Sequence, residues 1–489
     1  MNRLKIYNNI YNEIPSTIKT IYDNSYINNK SKILISFVNK RNDNKKIVDL
    51  IKCMNTEKPW ELLNNESVLE LYKDYNHISD REKKKYAEIF TPLELVNDML
   101  DKIPTEMWSD PNKKWLEPAN GTGNFMWQVI RRLFNGLKNI SGLEDDEIRY
   151  KHIIENMIYV CEIQTKNMFL WIKRIDFHDK YKINFYRGNF LSKKFDLHTN
   201  KIWNIDNFDL ILGNPPFNSD QNATTKKGGG DTIWDKFVIK SMFVLKERGL
   251  LCFVHPTLWR KPQSERSSSN EVSKMMMKKQ IHYLEMHNSA DGMKTFNAGT
   301  RYDFYLLENC DIYTNTTIKD EDKIISNVDL RLYDFIPNKG LEFFNKIVAK
   351  KGDEKCPIIF NRTNYGSDKE HVSSDKTDVY KYTLVHTTPQ KGIRYKYSSV
   401  NDKGHFGISK IIFGDSGIYN VIIDMAGEFG MTEHSMAIKV SNLEEAENIK
   451  KVILCDSFTE FLESVMWSNF QIDWRLFNHL KKDFWKYFN

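Results

Sequence analysis

The chain has 489 residues, 40% hydrophobic and 28% charged, a balance that suits globular folding with a sizeable core and length for roughly three domains. Its net charge of +6 permits a nucleic-acid partner without demanding one, because scattered lysines give the same total. Six cysteines (Cys53, Cys161, Cys252, Cys310, Cys356 and Cys455) form no Cys-x-x-Cys pair, so neither a zinc site nor a disulfide framework is supported and a reducing compartment fits best. Polar sequence follows Met1 and no apolar run reaches membrane-span length, so an intracellular, cytoplasmic protein without membrane contact is expected.

The first stretch, Met1 to about Lys84, is the least informative. Lys32 to Val38 has the composition of a strand, Trp60 to Tyr75 has helical spacing, and residues 1–80 are expected to form an accessory segment or arm. From Tyr86 the texture changes. Ile89-Phe90-Thr91-Pro92 leads into Leu93 to Leu100, where apolar residues recur at helical spacing, with Thr91 expected as N-cap and Pro92 as first helical residue. Trp115-Leu116-Glu117-Pro118-Ala119-Asn120-Gly121-Thr122-Gly123-Asn124-Phe125 then reads as strand, glycine-bearing turn and helix, the helix continuing over Met126 to Leu133. Gly121 and Gly123 allow a sharp turn and close approach of a ligand, but the pattern is not the Gly-x-Gly-x-x-Gly of a dinucleotide site.

A second strand, Met157 to Cys161, ends in Glu162, a position from which an acidic side chain can accept hydrogen bonds from ribose hydroxyls. A third, Ile183 to Arg187, leads to Gly188-Asn189-Phe190. A fourth, Phe208 to Gly213, delivers Asn214-Pro215-Pro216-Phe217, where two prolines forbid further sheet or helix and leave a stiff turn at the strand's carboxyl end. In open α/β sheets ligands bind at that edge. Asn218 to Gly230 reads as a mobile loop, Trp234 to Lys246 as an amphipathic helix and Leu250 to Val254 as a strand. His255 receives no catalytic role, and Arg260 to Gln280 reads as an exposed basic loop. Two more strands, Ile281 to Met286 and Tyr302 to Leu307, flank a polar turn in which Phe296 is either a ring beside a pocket or a core residue. This alternation predicts a mostly parallel sheet with helices on both faces.

Beyond about Ile312 the alternation fades into a mixed region. Lys410 to Phe413 and Tyr419 to Ile423 are strand-like, a tail with Trp467, Trp474, Phe484 and Trp485 has helical patterns, and Gln390 to Tyr397 interleaves basic and aromatic residues in a way that suits nucleic acid. No internal repeat and no metal-binding carboxylate set is evident.

Taken together, these motifs resemble, in order and spacing from Tyr86 to Asn309, the γ arrangement of S-adenosylmethionine-dependent DNA adenine-N6 methyltransferases of restriction–modification systems and viruses. The resemblance implies a Rossmann-like class I methyltransferase domain over 81–311 with a mostly parallel seven-stranded sheet, and a separate C-terminal target-recognition domain over 312–489. It further implies bacterial or viral origin, duplex DNA as substrate and a possible cognate restriction endonuclease as partner. Carried over by position, Thr91 holds the carboxylate of S-adenosyl-L-methionine, and the turn Glu117, Ala119, Asn120, Gly121 and Gly123 wraps its methionine part. Glu162 binds the ribose and Asn189 the adenine, and Phe190 beside it is also counted as cofactor-binding. Asn189 stands where the family usually has Asp, and its carbonyl oxygen can accept the same bond.

The same resemblance places catalysis at Asn214, Pro215, Pro216 and Phe217. An adenine amino nitrogen is a poor nucleophile, and two acceptors, the Asn214 oxygen and the Pro215 carbonyl, localise its lone pair by taking its hydrogens. The base must leave the duplex, with Phe217 stacking on one face and Phe296 on the other. Three alternatives remain open: an RNA adenine methyltransferase, a glutamine-N5 methyltransferase of release factors, and a non-catalytic nucleic-acid-binding subunit.

Overall fold

The computed structural model describes residues 53–65, 91–218, 232–261, 270–321, 323–350, 352–466 and 472–488. The expected strand at Lys32 to Val38, the pair Ile89-Phe90, most of the Trp60 to Tyr75 pattern, nearly all of the Asn218 to Gly230 loop, and Trp467 lie outside them. The chain divides into two compact units: Met1–Thr257, Lys274–Lys319 and Ile324–Val328, and Leu258–Ser273, Asp320–Lys323 and Asp329–Asn489.

The first unit is an α/β layer structure. Its elements in chain order are α1 (Leu93–Leu100), β1 (Trp115–Glu117), α2 (Asn124–Gly136), α3 (Asp146–His152), β2 (Ile158–Glu162), α4 (Thr165–Ile175), β3 (Asn184–Arg187), α5 (Lys193–His198), β4 (Phe208–Gly213), α6 (Trp234–Val244) and β5 (Leu245–Pro256). There follow β6 (Lys279–His287), α7 (Ser289–Phe296), β7 (Tyr302–Asp311), β8 (Thr316–Asp320) and β9 (Lys323–Val328). The strands form one sheet in the order β3-β2-β1-β4-β5-β7-β6-β8-β9. From β3 to β5 all neighbours are parallel, whereas β7 runs antiparallel to both β5 and β6. Strands β1 and β2 are buried at every position, as expected of central parallel strands covered on both faces.

Several expectations change. Among the described residues the sheet has nine strands rather than seven, because β8 and β9 extend the β6 edge. Most of β9 is exposed, so its sequence carries little of the apolar signal that marks the inner strands. Helix α1 is capped by Pro92 and starts at Leu93, so Thr91 is not its N-cap. Leu245 and Lys246 belong to β5 and not to the preceding helix. Phe296 is the last residue of α7, not part of a polar turn. Within Arg260 to Gln280, Asn270–Met276 is helical, and Arg260 is buried with its guanidinium donating to the Ile336 and Pro337 carbonyls.

The second unit carries two four-stranded sheets. One has the order β10 (Ile358–Ile359), β17 (Ser435–Lys439), β14 (Lys410–Gly414), β15 (Ile422–Asp424); the other has β11 (Val372–Ser373), β13 (Arg394–Ser398), β12 (Tyr382–Thr387), β16 (Gly430–Met431). Val385 and Met431 from one sheet pack with Ile412 and Ala437 from the other. Helices α8 (Leu341–Ile347), α9 (Leu443–Ile453) and α10 (Asp456–Val465) complete the unit. All six cysteines are free thiols. Among the described residues no helix is long and apolar enough to cross a membrane.

Candidate active site

The site grows from the carboxyl ends of adjacent strands. At the end of β1 the chain turns through Gly121 (φ 55°) and Gly123 (φ 87°), a conformation that L side chains rarely adopt. A Cβ on Gly123 would also fall inside the Trp171 ring of α4. The turn closes with the Gly123 amide donating to the Asn120 carbonyl at 2.8 Å, and the Asn120 amide ties it to β2 by donating to the Cys161 carbonyl at 2.9 Å. Glu162 braces the turn from β2: its carboxylate accepts from the Gly121 amide at 2.8 Å and the Gln164 amide at 2.7 Å. Ala119 is half-buried.

The turn leaves two acceptors unsatisfied. Glu117 and Asn120 are buried, and Glu117 Oε2 and Asn120 Oδ1 have no hydrogen-bond partner. Burial pushes the Glu117 carboxyl well above the ordinary carboxylate range; the Met126 amide opposes the shift and the charge of Glu162 adds to it. An unpaired carboxylate here costs free energy until a cation or donor arrives.

At the end of β3, Gly188 donates to the Glu162 carbonyl at 3.0 Å. Asn189 is exposed, and its side-chain oxygen accepts from the Leu191 amide at 2.9 Å, leaving its second lone pair for any other donor. Asn189 lines a cavity of about 740 Å³ together with Arg187, Lys193 and His198. Phe190 points away from solvent into an aromatic cluster, with its ring centroid 4.8 Å from Phe195 and 5.4 Å from Phe237.

β4 lies beside β1 and ends at Gly213 (φ 141°), where a Cβ would sit 3.3 Å from Cγ of Glu117. The next residue, Asn214, donates from Nδ2 to Thr91 Oγ1 at 3.1 Å, while its Oδ1 is buried and without a partner. Thr91 itself is buried, and its carbonyl accepts from Asn124 Nδ2 at 3.4 Å. Pro215 is buried; Pro216 and Phe217 are half-buried. Phe217 meets Phe296 edge to face at 6.3 Å between centroids. Behind Phe296 stands Tyr302 at 4.9 Å, and His287 stacks on Tyr302 at 4.3 Å with planes within 8°.

Thus Thr91, Glu117, Asn120, Gly121, Gly123, Glu162 and Asn214 share one region, and Phe217 adjoins Phe296. His255 is fully buried, hydrogen-bonded to Tyr305 and stacked on Trp234, a packing role. Sequence reasoning missed Trp171, whose helix reads as ordinary core, and the Thr91–Asn214 bond, which spans the chain. The acceptor chemistry suits a cationic ligand: Glu117 Oε2, Asn120 Oδ1 and Asn214 Oδ1 are buried oxygens without hydrogen-bond partners, which an ammonium or sulfonium group would satisfy.

The chain matches known proteins over parts of its length. The family model described as Eco57I restriction-modification methylase matches residues 137–291. That span holds Glu162, Asn189 and Asn214 to Phe217, but not Thr91, the Glu117 turn or Phe296. An uncharacterized adenine-specific methylase of Mycoplasma pneumoniae is 22% identical over 240 residues, covering 35% of this chain and 55% of that protein. Modification methylase CviBIII of Paramecium bursaria Chlorella virus NC1A is 24% identical over 200 residues, covering 40% of this chain and 44% of that one. The chain therefore spans about half the length of these relatives. Among solved structures, the type IIL restriction-modification enzyme MmeI in complex with DNA aligns over 93% of this chain and 84% of that one, at 10% identity and a TM-score of 0.46. The chain is similar to restriction–modification and adenine-specific methylases.

Proposed function

We propose that the chain is a class I, Rossmann-like methyltransferase that transfers a methyl group from S-adenosyl-L-methionine to N6 of an adenine flipped out of duplex DNA. The observation that carries this reading is the unpartnered Oδ1 of Asn214 just past the carboxyl end of β4, beside the buried acceptors of the Glu117 turn. The likeness to adenine-specific methylases supports the choice of acceptor.

When bound, the cofactor supplies a methyl group on a positively charged sulfur. Glu117 and Asn120 meet its ammonium group, Thr91 its carboxylate, Glu162 its ribose and Asn189 its adenine. Asn214 Oδ1 and the Pro215 carbonyl would accept hydrogen bonds from the two N–H groups of the target amine and so turn its lone pair toward the methyl carbon. Forming the N–C bond would break the methyl carbon's bond to sulfur, with S-adenosylhomocysteine as the leaving group, and one of the two amine hydrogens would pass as a proton to water. Positioning and electrostatics do the catalytic work, and no strongly basic side chain is needed. Phe217 and Phe296 hold the extruded base. In the second unit, Arg394, Tyr395 and Lys396 on β13 contribute to DNA recognition, and a cognate endonuclease is a candidate partner.

The test offers labelled S-adenosylmethionine with unmethylated duplex DNA, with RNA, or with a release factor. Label on adenine N6 of duplex DNA is expected. Label only on RNA or protein, or cofactor binding without any transfer, overturns the reading.

A further inference from the structure

The Thr91–Asn214 hydrogen bond has a chemical consequence for the amide that it holds. An asparagine side chain presents two opposite faces: the oxygen accepts and the nitrogen donates. Only one orientation of Asn214 can serve a target amine, because an NH₂ facing another NH₂ repels it. In this structure Nδ2 is turned to Thr91 Oγ1 at 3.1 Å, and Oδ1 is left buried and unpaired. The opposite orientation is compatible with Thr91 only if the hydroxyl donates its own hydrogen to Asn214 Oδ1. Which orientation holds therefore depends on where the Thr91 hydrogen goes.

We propose that Thr91 is the positioning residue that sets the orientation of the Asn214 amide, and that a carboxylate accepting the Thr91 hydroxyl hydrogen locks the productive orientation. This rests on the proposed function, which places the cofactor carboxylate at Thr91. With that hydrogen committed to a carboxylate, only the oxygen lone pairs of Thr91 face Asn214, so Nδ2 must turn to them and Oδ1 must face the base site. Cofactor occupancy is thereby coupled to the acceptor that captures the target amine. The burial of Thr91 strengthens the coupling, since a solvated hydroxyl could satisfy itself with water. Thr91 is also held by its backbone carbonyl, which accepts from Nδ2 of Asn124, the first residue of α2 just after the turn proposed to wrap the cofactor.

The test compares the full-length wild type with Thr91→Val, which keeps the shape and removes the hydroxyl, and Thr91→Ser, which keeps the hydroxyl. Thermal melting first establishes that each variant is folded. Cofactor dissociation constants come from calorimetry with S-adenosylhomocysteine, and turnover is measured at saturating labelled S-adenosylmethionine on unmethylated DNA. Protein labelled with ¹⁵N-asparagine gives the Asn214 side-chain amide signal, assigned by its loss in Asn214→Ala. In wild type and Thr91→Ser that signal is expected to shift when S-adenosylhomocysteine is added. In Thr91→Val it should not respond, and turnover at saturating cofactor should fall at least tenfold while Thr91→Ser recovers most of it. Equal turnover of Thr91→Val and wild type at saturating cofactor, or an unchanged amide response, overturns the proposal. Absence of any cofactor binding or DNA methylation by the wild type instead overturns the parent reading.

Discussion

The rings of Phe217 and Phe296 touch edge to face, with planes at 82°, so no planar base fits between them as they stand. Holding a base on both faces requires one ring to turn parallel to the other. Phe217 is half-buried and has less packing to give up; Phe296 is buried and packed against Tyr302. Phe217→Ala is therefore expected to raise the KM for DNA by the loss of one stacking contact, about 1–3 kcal/mol, with little change in melting temperature. Phe296→Ala should both weaken DNA capture and destabilise the fold by about 3–5 kcal/mol, because it opens a cavity in the core. Steady-state kinetics and thermal melting separate the two. A normal KM for Phe217→Ala removes the stacking role.

Asn214→Ala should retain cofactor binding and lose turnover by about 100-fold or more, the scale seen when one preorganised polar contact to a reacting centre is removed. Calorimetry and label transfer check the two halves. Turnover near wild type would falsify the catalytic assignment.

On the proposed function, Glu117 is expected to link cofactor binding to pH. Burial raises its folded-state pKa well above the unfolded value, with Glu162 adding to the shift. A carboxyl raised in this way stabilises the fold fully below its unfolded pKa of about 4.3 and loses that contribution as pH rises through the folded pKa. Without cofactor, wild-type stability should thus fall from pH 5 upward, and Glu117→Gln should flatten the slope in urea unfolding. Binding of the cationic cofactor needs the carboxylate, so it should release a proton and tighten as pH rises. Calorimetry in two buffers of different ionisation enthalpy measures that proton. Identical pH slopes for both proteins count against a protonated Glu117.

Gly123→Ala combines an unfavourable φ of 87° with a clash against Trp171. The backbone of the cofactor turn must shift, so cofactor affinity is expected to drop by more than tenfold. Gly142, also at positive φ but with open space around its Cβ position, serves as control. Gly142→Ala should cost only the backbone strain, about 1–2 kcal/mol, and leave cofactor affinity intact.

Much of the first unit is legible in the chain because its central strands are continuous apolar runs between turn residues. Those features locate β1 to β5 and place Glu117, Glu162, Asn189 and Asn214 at strand ends. What lies hidden depends on distant contacts or on a competing local signal. Nothing near Thr91 announces a partner at Asn214, and a threonine before proline reads as a helix cap. Glu162 reads as a ligand-binding acid; the sequence does not show that each of its oxygens also holds a backbone amide while keeping a lone pair for another donor. Phe296 reads as part of a turn because Gly292 interrupts the helical pattern. That glycine is required there, since a Cβ would strike the Thr300 carbonyl. The helix did carry a readable mark: Asn288 and Asp291 form a capping box.

The second unit contains a buried ion pair whose removal is a stability test independent of the active site. Lys410 and Asp424 have side chains 0% and 2% exposed, joined at 2.6 Å across paired strands β14 and β15. Asp424 also accepts from the Glu428 and Phe429 amides, at 2.8 and 3.0 Å, so it pins the turn after β15. Burial draws the Lys410 pKa down, and the bond to Asp424 holds the charge in place. Lys410→Met leaves Asp424 buried without its counter-ion, which is expected to cost about 3–5 kcal/mol. Adding Asp424→Asn removes the stranded charge while keeping an acceptor for the two amides, so the double variant should recover part of the loss. Urea unfolding of wild type, Lys410→Met, Asp424→Asn and the double variant closes the cycle. A double variant less stable than Lys410→Met would show that the turn, rather than the unpaired charge, sets the cost.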